Sequence, residues 1–198
     1  MITRPGGSGD EAFASVLAAA QVGAAWACSK IWSDHAPAVA AFLSARGSRE
    51  PDDVTSEVFL DVFARLPSFV GDATAFRSFV FSIAYRRLVD ELRVRSRRGE
   101  TLEYRDEADA RRASSAEDGA LESLADLRVR ELIQSLAPEQ RDVMLLRIIA
   151  DLTVGQVADV LGKTEGAVKA LQRRALAQLA KKVVDPRTPA GPSSDSGE

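Results

Sequence analysis

Two reactive residue types are almost missing from this chain of 198 residues, which has one cysteine, Cys28, and one histidine, His35. A single cysteine excludes an intramolecular disulfide and any zinc site that needs several thiolates. A single histidine excludes a relay between two imidazoles, and the sequence shows no nucleophile–base pair or phosphate-binding loop. We therefore predict no catalytic residues, no metal site and no cofactor. We interpret Cys28 as a packing residue and His35, two residues before Pro37, as a solvated or capping residue.

Aromatic residues and long apolar runs are also scarce. Aromatic residues make up 6% of the chain, and the dominance of Ala, Leu, Val and Arg favours helices over strands. No apolar run approaches the roughly 20 residues that cross a bilayer, and the first nine residues lack the pattern of a secretory signal. We therefore expect a cytoplasmic protein without direct membrane insertion.

Glycine and proline are sparse, and they fall between segments of helical periodicity. Residues 1–10 and 185–198 are predicted to be disordered tails. Residues 11–98 have helical periodicity, residues 99–124 lose it, and residues 125–184 regain it. The expected fold class is all-α, with two small helical domains joined by a flexible acidic linker.

Four helices are predicted in the first domain. The third begins after Pro51, with Asp52 or Asp53 as its N-cap, and has the apolar stripe Val54, Val58, Val62 and Leu66. Its other side carries Asp53, Glu57 and Asp61 at positions i, i+4 and i+8, which form an acidic edge. The other predicted helices are Glu11–Ser29, Ile31–Arg46 (ended by Gly47) and Thr74–Arg98.

Charge is segregated along the chain although the net charge is only −3. Residues 86–98 contain six arginines and two acids, a balance of +4, and residues 163–182 contain six basic residues and one acid, a balance of +5. Between them, residues 99–126 contain nine acids and three arginines, a balance of −6. Two basic segments on separate domains indicate two contacts with one polyanion, although solvated helix faces would give the same pattern.

The second domain contains the pattern of a helix-turn-helix. Thr153 and Gln156 form a capping box that opens a short helix, Val154–Leu161, and Gly162 supplies the turn after it. Thr164 caps the next helix, whose apolar residues are Val168, Leu171, Ala175 and Leu179. The predicted duplex DNA-binding residues are Thr164, Lys169, Gln172, Arg173 and Arg174. Arg and Lys suit phosphate or guanine edges, Gln suits adenine, and a helix N-terminus binds phosphate.

The long fourth helix changes character along its length. Phe76, Phe79 and Ile83 share one face and are predicted to lie in the core. Tyr85, Arg86 and Arg87 stand where the aromatic half meets the arginine-rich half. Stacking and positive charge together are typical of single-strand binding, so these three are candidate nucleic-acid contacts.

Three stretches resemble a known family. DDVTSEVFLDVF from Asp52 and FVFSIAYRRLVDELR from Phe79 resemble region 2 of bacterial RNA polymerase sigma factors of the extracytoplasmic-function group. LAPEQRDVMLLR from Leu136, with the helix-turn-helix after it, resembles region 4. The resemblance covers about residues 11–184 in the family's order.

The resemblance implies a role for each group of residues. Region 2 would dock on the β′ clamp helices of core RNA polymerase through Asp53, Ser56, Glu57 and Asp61. It would recognise and melt the −10 element through Tyr85, Arg86, Arg87, Asp90 and Arg93, while the loop Pro67–Ala73 would help hold a flipped base. Region 4 would bind the −35 element as duplex and contact the β flap. Promoter DNA and an anti-sigma factor complete the implied partners.

Other function classes stay open on the sequence alone. A conventional helix-turn-helix regulator would bind duplex DNA without polymerase, and it would need a dimerisation segment such as a heptad run, which we do not find. A helical adaptor that sequesters other proteins is a third class. A sigma factor would make sigma-free core polymerase initiate transcription. Neither a conventional regulator nor an adaptor would do so.

Overall fold

The computed structural model describes residues 7–97 and 128–184, and within these ranges every regular element is a helix. The expected all-α class is therefore confirmed. The predicted acidic linker, residues 99–124, and the tail 185–198 lie outside the described residues, and the domain boundaries stay a prediction. The helices are α1 (Gly7–Gln21), α2 (Ala25–Ala45), α3 (Pro51–Arg65), α4 (Ala73–Arg97), α5 (residues 128–134), α6 (Pro138–Ile148), α7 (Val154–Leu161) and α8 (Glu165–Val184), with a 3-10 turn at Leu66–Ser68.

Helices α1–α4 pack around an aromatic core. Phe42 of α2 and Phe81 of α4 are fully buried, with their ring centroids 5.7 Å apart in an edge-on arrangement. The predicted stripe of α3 faces this core, since Val58 and Val62 are fully buried, and Phe76 and Ile83 of α4 are buried as predicted. Burial of each such side chain stabilises the bundle by about 1.5–3 kcal/mol relative to exposure.

The break between the first two helices lies earlier than predicted. We expected one helix over Glu11–Ser29, but the chain turns at Gly23, where φ is +82°, and α2 begins at Ala25. The alanines on both sides of Gly23 have high helix propensity, so periodicity alone does not reveal the turn. The predicted cap of α3 is also wrong, because Pro51 is already the first helical residue and Glu50 is the N-cap.

A second set of helices, α6–α8, packs on the first set, α1–α4. Within it, α6 and α7 both contact α8, and the residues at the centre are Leu146, Leu152, Val157 and Val168. Helix α7 also packs on α4, and α6 on α2. Buried residues from both sets form one continuous apolar cluster.

Candidate nucleic-acid interface

The helix-turn-helix forms as the sequence predicts. The Thr153 hydroxyl accepts from the Gln156 amide at 3.3 Å, and the Gln156 side chain accepts from the Thr153 amide at 2.8 Å. The helix α7 that this capping box opens ends at Gly162, which is left-handed with φ +62°. The Thr164 hydroxyl then accepts from the Ala167 amide at 3.2 Å and opens α8. These local contacts therefore fix where α7 begins and ends and where α8 begins.

Two glycines of this motif should respond oppositely to alanine. A Cβ at Gly162 would meet nothing within 4 Å, so Gly162→Ala should cost only the left-handed strain, about 1–2 kcal/mol of unfolding free energy. Gly166→Ala, in the first turn of α8 at an ordinary φ, should stabilise by up to about 1 kcal/mol. Denaturant unfolding followed by circular dichroism measures both. Equal effects of the two substitutions would show that the left-handed turn is not what Gly162 provides.

Helix α8 presents a polar face away from its buried side. Val168 and Ala175 are fully buried and Leu171 is 7% exposed, as predicted, whereas Lys169, Arg173 and Arg174 are exposed. Gln172 is half-buried. The structure therefore brings the predicted duplex-binding residues to the first half of one helix, beside its capped N-terminus. Lys169 pairs with Glu165 at 3.0 Å, and the exposure of both side chains makes this pair worth about 1 kcal/mol or less.

The residues predicted to contact the −10 element lie along α4 in different environments. Arg86, Asp90 and Arg93 are exposed, with Arg93 3.7 Å from Asp90. Arg87 turns toward α3, and its guanidinium lies 2.7 Å from Asp61 and 3.2 Å from Glu57. Tyr85 is half-buried. The candidate set thus shares a helix but only part of it faces solvent.

The arginine-rich end of α4 is partly internal. Arg95 is 8% exposed and donates to the Gly47 carbonyl at 2.7 Å. This bond ties the end of α4 to the turn that follows α2. In the sequence, Arg95 belongs to the basic segment 86–98. In the structure, its buried guanidinium supports the fold through this hydrogen bond.

The loop before α4 is held by hydrogen bonds from α1 and by ring packing on α4. The Gln21 amide donates to the carbonyls of Leu66, at 3.1 Å, and Phe69, at 2.8 Å. The Phe69 ring packs on Phe76 and Phe79, with centroids 5.3 and 5.2 Å apart. Val70, next in the chain, is 93% exposed. The loop therefore presents one apolar side chain to solvent on a fixed support.

The acidic edge of α3 is formed as predicted, with one addition. Asp53, Ser56 and Glu57 are exposed, and Asp61 is partly covered by Arg87. Leu60 lies on the same face and is 71% exposed. Its signal in the sequence is a large apolar residue that falls outside the Val54–Leu66 stripe.

The contact between the two sets of helices contains residues that the sequence did not suggest. Asp142 of α6 is 5% exposed and accepts from the Arg46 guanidinium at the end of α2, while the Tyr85 hydroxyl donates to its other oxygen at 3.4 Å. Nearby, the Gln156 side chain donates to the Thr74 carbonyl at 3.0 Å. Arg77 and Asp151 pair at 3.1 Å on the exposed rim of the same contact.

Burial shapes the protonation of this contact. Desolvation, together with the charge of Asp142, raises the pKa of Tyr85 to about 12, so the phenol stays protonated and acts as a donor. Desolvation also raises the pKa of Asp142, and Arg46 opposes that shift. A carboxylate here depends on its arginine partner.

The two scarce residues are both packing residues. Cys28 is half-buried against the core, as predicted. The prediction for His35 is wrong, because its ring packs on Phe76 with centroids 5.4 Å apart. Burial, aided by Arg77, lowers the pKa of His35, so the imidazole is neutral at pH 7. His35 lies four residues from the buried Ile31 and Val39, on the inner face of α2. Its polar neighbour Asp34 suggested an exposed position instead.

Within residues 7–97 and 128–184, no group of three His, Cys, Asp or Glu side chains is placed to hold a metal ion. In the same ranges, no helix has the length and apolar content to cross a membrane. The features that stand out there are the exposed basic and acidic helix faces.

Comparison with solved structures supports the architecture. The chain superposes on RpoE in the complex of this sigma factor with the anti-sigma factor NepR from Bartonella quintana, with a TM-score of 0.63 and 17% identity over 80% of this chain and 98% of that chain. It also superposes on CnrH, solved in complex with the cytosolic domain of CnrY, with a TM-score of 0.62 and 22% identity over 87% of this chain and 97% of that chain. These likenesses show the fold.

Sequence comparison shows the family. The family model for Sigma-70 region 2 matches residues 31–98, and the model for Sigma-70, region 4 matches residues 126–179. The chain is 32% identical to the ECF RNA polymerase sigma factor BldN of Streptomyces coelicolor over 187 residues, which cover 92% of this chain and 70% of BldN. With both regions present in order, the chain belongs to the extracytoplasmic-function (ECF) sigma factors, the subunits that bind core RNA polymerase and direct it to promoters.

Proposed function

We propose that α8 is the helix through which this sigma factor reads the −35 element. The observation that supports this role is the exposed polar face with Lys169, Arg173 and Arg174 beside a capped N-terminus. A helix of this kind enters the major groove with its N-terminal turns, where arginine reads guanine and the helix end binds phosphate. Thr164 and Gln172 complete the proposed contact set.

The proposed −10 surface is α4 with the loop before it. Arg86, Asp90 and Arg93 are exposed along one stretch of the helix, and Tyr85 lies next to them. The loop Pro67–Ala73 holds the exposed Val70 on a fixed support, which suits the capture of a base taken out of the stack. Melting would be driven by these contacts, which offset a few kcal/mol of unstacking per step.

The proposed docking surface for polymerase is the outer face of α3. Asp53, Ser56 and Glu57 are exposed there, with Asp61 beside them and the exposed Leu60 in their midst. An apolar residue ringed by carboxylates suits a basic partner with an apolar contact point, such as the β′ clamp helices. Region 4 would contact the β flap.

Two further roles are proposed from the family. RpoE of Bartonella quintana was solved with an anti-sigma factor, and we propose that a protein of that class also binds this chain. Sigma factors are known as non-catalytic initiation factors, and we propose that this protein carries out no enzymatic reaction of its own. We also propose that it acts in the cytoplasm. The two basic surfaces, α8 and α4, make promoter DNA the ligand.

Run-off transcription tests the proposed function. We expect sigma-free core polymerase to give transcripts with discrete start sites on genomic fragments only after the purified chain is added. A conventional helix-turn-helix regulator would instead shift duplex DNA without polymerase and would give no transcripts. That second outcome would overturn the proposal.

A further inference from the structure

The last residue of α1 reaches the loop that would capture a base. A side-chain amide nitrogen carries two N–H donors, and that of Gln21 donates to the Leu66 carbonyl at 3.1 Å and to the Phe69 carbonyl at 2.8 Å. The Leu66 carbonyl also accepts from the Phe69 amide at 3.0 Å, so the turn is closed by its own backbone. The two bonds from Gln21 tie this closed turn to α1.

The bond to the Phe69 carbonyl acts on the peptide that leads into Val70. That carbonyl and the nitrogen and α-carbon of Val70 lie in one plane, because the peptide bond does not rotate freely. A bond that holds the carbonyl therefore fixes the direction in which the chain enters Val70. Since Val70 is 93% exposed, its backbone and not the packing of its side chain decides where it points.

The chain that leaves Val70 is fixed against α4. A Cβ at Gly71 would lie 2.9 Å from the Cβ of Ala75 and 3.0 Å from the Phe69 ring, so the backbone passes as close to α4 as glycine allows. The Asp72 carboxylate then accepts from the Ala75 amide at 2.7 Å and caps α4. Val70 thus stands between one support on α4 and one support on α1.

We propose that Gln21 is a positioning residue for the −10 element: through it, α1 sets the place of Val70 and thereby decides which base the loop accepts. The inference rests on the proposed function of the loop Pro67–Ala73. It adds a helix that precedes residues 31–98, which the region 2 model matches. A group that selects its ligand must be held within about 0.5 Å by the residues behind it, and Gln21 is such a residue.

Binding of the holoenzyme to partly single-stranded promoters tests this role. The probe is duplex over the −35 element and carries the −10 element as an unpaired strand, with each of the four bases in turn at every −10 position. Gln21→Met has a side chain of similar length that cannot donate. We expect it to reduce the preference at one −10 position about tenfold, within the roughly 5- to 150-fold that one base contributes. Affinity for core polymerase and for the −35 duplex should not change.

Two variants make the result specific to the hydrogen bonds. Gln21→Lys returns a donor on a side chain of similar length, and it should restore the preference that Gln21→Met loses. Gln178→Met is the matched control, because the half-buried Gln178 also donates its side-chain amide to a backbone carbonyl, that of Ser135, at 2.8 Å. This control should keep the base preference of the parent.

Helix α1 should stay in place without the Gln21 bonds. Leu17 and Ala20 are buried against the core, and the Phe13 ring packs on Phe76 with centroids 5.4 Å apart. Circular dichroism of Gln21→Met should therefore match that of the parent. If it does not, Gln21→Glu, which keeps the shape of the side chain while its carboxylate only accepts, is judged by the same base preference.

Gly71→Ala separates the loop from its support. The added Cβ forces Ala75 or the Phe69 ring to shift, so this variant should reduce the same preference from within the loop. A reduced preference in Gly71→Ala beside an unchanged one in Gln21→Met would show that the loop captures its base without help from α1, and would overturn the positioning role alone.

The remaining outcomes are also decisive. A preference lost equally at every −10 position, together with affinity for core polymerase, would make Gln21 a merely structural residue. Failure of Gln21→Lys to regain the preference would overturn the hydrogen bonds as its cause. A parent holoenzyme with no base preference at any −10 position would instead reject base capture by this loop, and the role of Gln21 with it.

Discussion

The double variant Asp53→Lys, Glu57→Lys should lose at least about a hundredfold in affinity for core RNA polymerase while keeping its helix content. Both carboxylates are exposed on α3, and like charges placed against a basic partner cost several kcal/mol. The fold should tolerate the change, because the pair between Glu57 and Arg87 is exposed and contributes about 1 kcal/mol or less. Equilibrium binding of the labelled chain to core enzyme measures the loss, with circular dichroism as the check on folding.

The matched control for this variant is Asp10→Lys, Glu11→Lys, which makes the same change in net charge on the exposed side of α1. It should bind core polymerase as the parent does. If both double variants lose affinity equally, the effect belongs to the overall charge and the α3 surface is not the docking site. Unchanged binding of the α3 variant would reject the assignment directly.

The second large effect is expected at the recognition helix. Arg173→Ala should weaken binding of the holoenzyme to its promoter duplex about tenfold to a hundredfold, and it should relax the preference at one base pair of the −35 element. Lys169→Ala should act in the same direction. Affinity for core polymerase should not change, since the exposed side chain of Arg173 supports no buried contact.

Lys182→Ala provides the comparison for Arg173→Ala. Lys182 is exposed on the same helix but lies in its last turn, far from the N-terminal turns that enter the groove. We expect a small, sequence-independent loss of affinity, measured by titration of promoter DNA at fixed salt. Equal losses for the two variants would mean that α8 acts only as a basic surface.

The elements that the sequence predicts well are those fixed by neighbouring residues. The bounds of α7 are correct because Thr153, Gln156 and Gly162 each act through the backbone of their own turn. The exposed face of α8 follows from the buried positions of Val168 and Ala175 by helical periodicity alone. In the same way, the acidic edge of α3 follows from residues four apart.

The features that escaped prediction depend on residues far apart in the chain. Arg46 and Asp142 are separated by 96 positions, and neither has a neighbour that marks it as a partner. His35 has the polar neighbour Asp34, but its burial depends on Phe76 of another helix. The acidic linker predicted from composition does not indicate whether the two helical domains that it joins pack on each other. A single sequence encodes such contacts only through the finished fold.

The contacts that hold the loop before α4 have a consequence for the temperature dependence of promoter opening. Gln21 holds the carbonyl of Leu66, just before the loop, and that of Phe69 within it, and the Phe69 ring packs on α4, so the loop enters the complex with its backbone already ordered. A segment that ordered only on contact would lose about 1–2 kcal/mol of backbone entropy per residue at that moment. The temperature dependence of strand separation should therefore reflect the stacking of the DNA, with little contribution from the ordering of this loop.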